Sequence, residues 1–275
     1  MRSLQPLEEL RELAERAARD AGALVRDERP AHLEVASTKS SPTDVVTAMD
    51  TAAEALLVRT LLAARPDDGL LGEEGGLRPG TSGVTWVVDP IDGTVNYLYG
   101  IPAYAVSVAA VSGEPDPGSW SVLAACVHNP ATGETWTAAA GQGAALDGRD
   151  ISVTRGVSLD TALVGTGFGY KVERRREQAR VLAALLPQIR DIRRAGVASL
   201  DLCAVACGRL DAYYERGLQP WDFAAGGLVA AEAGATVTGL SGLSASEAMV
   251  LAAAPDLARR LGSVLVGLGP YRDAL

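Results

Sequence analysis

Histidine is almost missing from this chain: its 275 residues contain two, His32 and His128. That scarcity weighs against a Ser-His-Asp triad, and no GxSxG elbow is present to carry a nucleophilic serine. Too few histidines and cysteines remain to build a zinc site from those ligands. Cysteine is sparse as well. Cys126, Cys203 and Cys207 include no CxxC pair, and an odd count without a secretion signal suits reduced thiols in the cytoplasm. Cys203 and Cys207 lie four apart on an expected helix and read as core packing. There is no Walker lysine and no GxGxxG spacing. GTGFG at Gly165 to Gly169 is glycine-rich, and reads as a tight turn after a strand, with ligand contact as the alternative. No apolar run approaches the roughly 20 residues of a membrane span, and the N-terminus lacks the short apolar block of a signal peptide. A cationic excess is absent too. Lys and Arg number 25 against 34 Asp and Glu, a net charge of −9. Such a chain is a poor ligand for nucleic acid or anionic lipid. An anionic substrate stays open, because bound metal ions can reverse the sign of a site.

What is present is an ordinary globular composition, 48% hydrophobic and 21% charged, long enough for one large domain or two intimate ones. Leu10, Leu13, Ala14, Ala17, Ala21 and Leu24 recur at helical steps and predict an amphipathic N-terminal helix. A second helix is expected after Asp50, ending near Pro66. The runs GLLGEE, VTWVVD, YAVSVAAV, WSVLAACV, ETWTAA and GAALDG then read as successive strands of an antiparallel sheet backed by the two helices. Near Asp150 the pattern becomes alternating. Strands are expected at ALVGTGF, LDAYYE and AMVLAAA. Helices are expected across VERRREQARVLAALLPQI, SLDLCAVACGR, WDFAAGGLVAAEAG and PDLARRLGSVLVG. The expected class is α/β (α+β). A soft boundary near 147–152 separates an N-terminal half, 1–149, from a C-terminal half, 150–275, the two forming one catalytic unit. Arg174, Arg175 and Arg176 read as a solvated helix face.

With nucleophile and nucleotide-loop chemistries losing ground, carboxylates remain. KSSPTDVVTAMD carries Lys39, Asp44, Thr47 and Asp50. LGEEGG carries Glu73 and Glu74. WVVDPIDGT carries Asp89 and Asp92, and ERGLQPWDFAAG carries Glu215 and Asp222. Taken singly, Asp50 and Asp222 read equally well as helix caps, and Glu73 and Glu74 as an exposed turn. Asp89 and Asp92 resist that reading. They flank Pro90-Ile91, which stiffens the backbone, and Gly93 permits a tight turn. Like charges brought together are costly unless cations sit between them. Oxygen-only ligands suit a hard ion, Mg²⁺ above all. Two such ions, on the order of 3.5–4 Å apart, can clamp a phosphoryl transfer.

DPIDGT followed by Asn96, with an upstream GEE and a downstream WD, resembles the inositol monophosphatase family over nearly the whole chain, in its bacterial, actinobacterial-type branch. The resemblance implies a layered αβαβα sandwich of the metal-dependent sugar phosphatase type, a homodimer, and a lithium-sensitive, Mg²⁺-dependent phosphomonoesterase with two or three ions. By that resemblance Glu73, Asp89 and the carbonyl of Ile91 hold the first ion. Asp89, Asp92 and Asp222 hold the second, and a third uses Glu73 and water. Thr94 and Asp50 orient and activate the attacking water. The amides of Gly93 and Thr94 receive the phosphate, with Asp92 and Asp222 on the leaving-group side. Glu215 and Ala198 contact sugar hydroxyls, and Glu74 and Lys39 line the metal site. The implied reaction is direct attack of water on myo-inositol 1-phosphate. Histidinol phosphate, or a broad sugar-phosphate range including fructose 1,6-bisphosphate, is the alternative. A partner-binding regulatory role is the reading of another class. Two departures concern the leaving-group side: Gln219-Pro220 stands where animal members carry His-Cys, and Val197 replaces a small polar residue.

Overall fold

The computed structural model describes residues 4–30, 37–38 and 45–272; Lys39 and Asp44, together with His32, lie outside the described residues. Helix α1 (Leu4–Asp27) places Leu10, Leu13, Ala14, Ala17 and Ala21 on one buried stripe, as the periodicity predicts, while Val25 is buried in place of Leu24, which is only partly covered. Helix α2 (Ala48–Ala64) begins with a capping box. Thr47 accepts from the Met49 amide at 3.2 Å, and Asp50 Oδ2 accepts from the Thr47 amide at 2.8 Å. Ser37–Thr38 (β1) and Val45–Val46 (β2) form a short antiparallel ribbon before it.

The first large sheet contains β3 (Gly69–Gly72), β4 (Gly76–Arg78), β5 (Val84–Asp92), β6 (Ala105–Ser112), β7 (Ser121–His128), β8 (Thr135–Ala139), β9 (Ala144–Leu146) and β10 (Arg149–Asp150), in the order β10-β9-β8-β7-β6-β5-β3-β4. The purely antiparallel sheet expected from the sequence is corrected here, because β3 and β5 run parallel. The topology explains it: β4 folds back antiparallel along the outer edge of β3 and returns the chain to the start of that strand. The chain therefore re-enters on the free side of β3 in the same direction. The short helix α3 (Thr94–Tyr99) follows β5 directly after Gly93.

The second sheet holds β11 (Leu163–Thr166), β12 (Asp191–Arg193), β13 (Ala212–Glu215), β14 (Thr236–Thr238) and β15 (Val250–Ala253), in the order β12-β11-β13-β15-β14. Its helices are α4 (Val172–Leu185), α5 (Ala198–Ala206), α6 (Pro220–Glu232) and α7 (Pro255–Leu268). The three-residue strands β12 and β14 escaped the sequence reading because they are too short to show a period.

Packing arranges these elements in five layers. On β5, Trp86 and Val88 face α1 and α2, while Val87 faces α5 and α6; β6 divides Val106 and Val108 from Ala105 and Ala109 in the same way. Both faces are covered, so the strands are apolar almost throughout rather than alternating. The opposite face of the second sheet packs on α4 and α7 through Val181, Leu185, Leu257, Leu261 and Leu265. Alanine and glycine let the middle layer be thin. A Cβ on Gly226 of α6 would come within 2.9 Å of Leu202 Cβ on α5. The three cysteines are free, with Cys126 and Cys203 buried in this packing. Among the described residues no helix is long and apolar enough to cross a membrane.

Helix α1 approaches β7 closely at Gly22. A Cβ there would stand 2.5 Å from Cδ2 of His128, whose Nδ1 is held at 2.8 Å by Thr135 Oγ1. Gly22→Ala therefore overpacks this contact and is expected to destabilise the fold by about 1–3 kcal/mol, read as a lower urea midpoint at unchanged slope.

Candidate active site

The DPIDGT stretch lies where β5 ends. Pairing with β6 is regular to Asp89 opposite Ser107, then shifts by a bulge and resumes at Asp92 opposite Ala105. Pro90, which has no N–H to give to the ladder, lies within the shift, and bulges of this kind re-aim side chains. Asp89 Oδ1 accepts from the Ile91 amide at 3.0 Å. Gly93 has φ +92°, and a Cβ there would be 2.7 Å from Val197 Cγ2, so glycine is required for both conformation and space. The chain then enters α3. Thr94 Oγ1 stands 3.0 Å from the Ile91 carbonyl and 3.1 Å from Asp50 Oδ1. The other Asp50 oxygen is taken by the amide and hydroxyl of Thr47, at 2.8 and 2.5 Å. Burial pushes the Asp50 carboxyl above its usual range, against those hydrogen bonds. The cap reading of Asp50 is thus correct and incomplete, because one oxygen caps the helix and the other faces Thr94.

Two further segments bring acids to this corner. Glu73 sits in the turn after β3. Glu54 of α2, buried, fixes that turn by accepting from the amides of Glu74 at 2.9 Å and Gly75 at 2.6 Å. Asp222, at the third position of α6, accepts from the Gln219 amide at 2.7 Å and completes a capping box there. Asp92 Oδ2 accepts from the Ser199 amide at 2.7 Å, at the start of α5; the Ala198 amide supports it too, and a helix N-terminus favours negative charge. Even so, burial raises Asp92 to about 6. Asp89 is pushed well above the carboxylate range, first by burial and then by the charges of Glu73, Asp92 and Asp222, and it is hydrogen-bonded to Glu73. Asp222 is raised by burial, then by Asp92 and Glu73.

These donors fit a hard divalent cation. All are oxygens, and each aspartate has one oxygen fixed by a backbone N–H. Their mutual repulsion is what a cation relieves. Among the described residues no three His, Cys, Asp or Glu side chains are grouped closely enough to hold a metal ion as they stand. The acids act on one another by charge at longer range, with Asp89 and Glu73 as the touching pair.

Beside the acids lies a second polar group. Glu215 ends β13 and accepts from the Tyr213 hydroxyl at 2.6 Å. Burial raises it to about 7, with Asp92 adding to the rise while Tyr213 and Arg194 oppose it. Asp201 of α5 is raised to about 8 by burial, then by Glu215 and Asp92. The fold thus brings together Asp50, Glu73, Asp89, Ile91, Asp92, Gly93, Thr94, Ala198, Glu215 and Asp222. Glu74 lies near enough to Asp50 to raise it. Sequence reasoning missed Glu54, Asp201, Tyr213 and Arg194. A lone acid in the apolar run SLDLCAVAC could have flagged Asp201, and a second acid one helical turn after Asp50 could have flagged Glu54. Arg175 and Arg176 are exposed as expected, but Arg174 is half-buried beside Gly217 and approaches Glu247 at 3.3 Å.

The raised pKa of Glu215 sets a sign. Its folded form holds the proton more tightly than the unfolded chain, so its stability contribution is full below about pH 4.5 and is lost as pH rises through about 7. With chelator present, Glu215→Gln is expected to lose less melting temperature than the parent between about pH 5 and pH 8.

Known proteins resemble this chain over most of its length. The sequence profile described as the inositol monophosphatase family matches residues 6–265. The inositol-1-monophosphatase of Mycobacterium bovis is 47% identical, covering 96% of this chain and 97% of the relative. The solved Mycobacterium tuberculosis SuhB structure superposes with a TM-score of 0.80 at 44% identity, covering 96% of this chain and 98% of that one. The Vibrio cholerae protein named Nus factor SuhB is 40% identical over 84% of this chain and 85% of its own.

Proposed function

Because this chain belongs to the inositol monophosphatase family, a family of phosphatases, we propose that it is a Mg²⁺-dependent phosphomonoesterase converting myo-inositol 1-phosphate to inositol and phosphate. The observation that carries the reading is the meeting of Asp89, Asp92, Glu73 and Asp222 in one buried corner, beside the Thr94–Asp50 pair and Glu215. The two halves, 1–149 and 150–275, work as one catalytic unit in this reading, since the second supplies Asp222 and Glu215 to acids of the first.

Glu73, Asp89 and the Ile91 carbonyl would hold one Mg²⁺, with Asp89, Asp92 and Asp222 holding another and Glu73 serving a third, weaker ion. Bound there, the ions would polarise the phosphate and make a coordinated water more acidic. Thr94 directs its hydroxyl towards Asp50 Oδ1 and so keeps lone pairs for an attacking water. The proton that water loses passes through Thr94 Oγ1 to Asp50, whose burial raises its proton affinity and makes it a better base. The amides of Gly93 and Thr94 receive phosphate oxygens, and Asp92 and Asp222 stand on the leaving-group side. Glu215, oriented by Tyr213, accepts hydrogen bonds from ring hydroxyls next to Ala198. Cytoplasmic operation, a homodimer and inhibition by Li⁺ belong to the same proposal. The free cysteines support the first, and the exposed Tyr99 and Ile101 offer an apolar edge for the second.

Partner binding is the second reading, favoured by the 40% identity to a protein named Nus factor. A catalytically inactive variant that still captures a defined partner would support it.

The test is phosphate release, with and without Mg²⁺, from myo-inositol 1-phosphate, histidinol phosphate and fructose 1,6-bisphosphate. A Mg²⁺-dependent preference for the inositol ester is expected. A preference for histidinol phosphate would keep the metal chemistry and replace the substrate. Asp89→Asn and Asp222→Asn are each expected to lower kcat by about a hundredfold or more while remaining folded. Mg²⁺ should raise the melting temperature of the parent, by about 2.7 kcal/mol of stability at a hundredfold excess over Kd, and leave Asp89→Asn nearly unmoved.

A further inference from the structure

The parallel pairing of β11 with β13 runs to Thr166 opposite Tyr214 and stops. One residue further, Gly167 stands against Glu215. A Cβ at 167 would fall 1.9 Å from Glu215 Oε2, so the bare backbone packs on that carboxylate. Where the ladder stops, a side chain takes over. Gln178 of α4 is buried, at 9% exposure. Its Nε2 donates to the Gly167 carbonyl at 3.2 Å and to the Arg216 carbonyl at 3.4 Å. Its Oε1 accepts from the Gly169 amide at 2.9 Å. Both donors and the acceptor of one carboxamide thus serve main-chain groups on the two segments that flank Glu215. The packing of α4 does not need this amide, because Val181 and Leu185 supply its apolar contact.

We propose that Gln178 is a positioning residue for Glu215. By closing the end of the β11–β13 pair it holds Gly167 against the Glu215 carboxylate, which Tyr213 grips from its own strand. The carboxylate then has one direction, set for an ester whose alcohol carries neighbouring hydroxyls. Selectivity for polyol phosphates depends on this brace, and attack on the phosphorus does not. The inference rests on the assignment of Glu215 to hydroxyl recognition.

Two variants test it. Gln178→Met keeps length and bulk and removes all three hydrogen bonds. Gly167→Ala leaves Gln178 in place and displaces the carboxylate directly. With the full chain at saturating Mg²⁺, kcat and KM are measured for myo-inositol 1-phosphate and for p-nitrophenyl phosphate, which has no alcohol hydroxyls. The ratio of the two kcat/KM values is expected to fall roughly tenfold in both variants, through KM for the inositol ester, with kcat changed by less than about twofold. A cooperatively melting Gln178→Met with the parent's ratio overturns the inference, as does an equal fall in kcat on both esters. If Gln178→Met does not fold, an unchanged ratio in Gly167→Ala overturns it instead. A parent enzyme with no preference for the inositol ester removes the hydroxyl-recognition reading of Glu215, and this inference with it. A parent preference that survives Gln178→Met but falls in Gly167→Ala removes this inference alone.

Discussion

Asp89, fully buried, is surrounded by the charges of Glu73, Asp92 and Asp222, and the rest of the molecule is organised around keeping those four acids together. Nothing in a low-dielectric interior favours such a group by itself. Each acid is held by a separate device: an Asx turn for Asp89, the start of α5 for Asp92, a capping box for Asp222, and the Glu54-braced turn for Glu73. All four devices are backbone hydrogen bonds, which do not relax when the charges repel. A rigid frame that holds mutually repelling groups together is a usual feature of functional sites.

The frame is rigid because β5 is covered on both faces. Trp86 and Val88 lock it to α1 and α2, Val87 to α5 and α6. Three of the helices that cover it also supply or brace groups of the site. Asp50 and Glu54 come from α2, the amides holding Asp92 come from α5, and Asp222 comes from α6. A layer that only filled space would tolerate sliding. Here the close α5–α6 approach at Gly226 limits it, and Asn96 adds a tie from α3 to the Ala195 carbonyl at 2.9 Å. Packing and site geometry are therefore one constraint.

Glu215 answers a different requirement. It sits beside the cluster of acids, raised to about 7 by burial, and its direction is set by Tyr213, Gly167 and the Gln178 brace. The glycine-rich GTGFG stretch finds its reason there. It is neither a nucleotide loop nor merely a turn: Gly165 lies in β11 against Leu210 and Tyr213, and Gly167 makes room for a carboxylate.

Much was legible in the sequence alone. The periodicity of α1, the apolar runs of β5 to β8 and the alternating second half follow from local rules, because helix and strand periods are written in neighbouring residues. DPIDGT, with Pro90 inside it and Gly93 after it, declared a fixed corner carrying two charges, since that backbone can do little else. Tertiary structure decided what those local rules do not contain. The parallel β3–β5 pair follows from which edge β4 occupies. Asp50 serves both as a cap and as the partner of Thr94 because α2 docks beside α3. Asp201, Tyr213 and Gln178 gain their roles from residues 14, 2 and 11 positions away, or from another sheet. Charge repulsion and burial act through space, and a sequence lists only order along the chain.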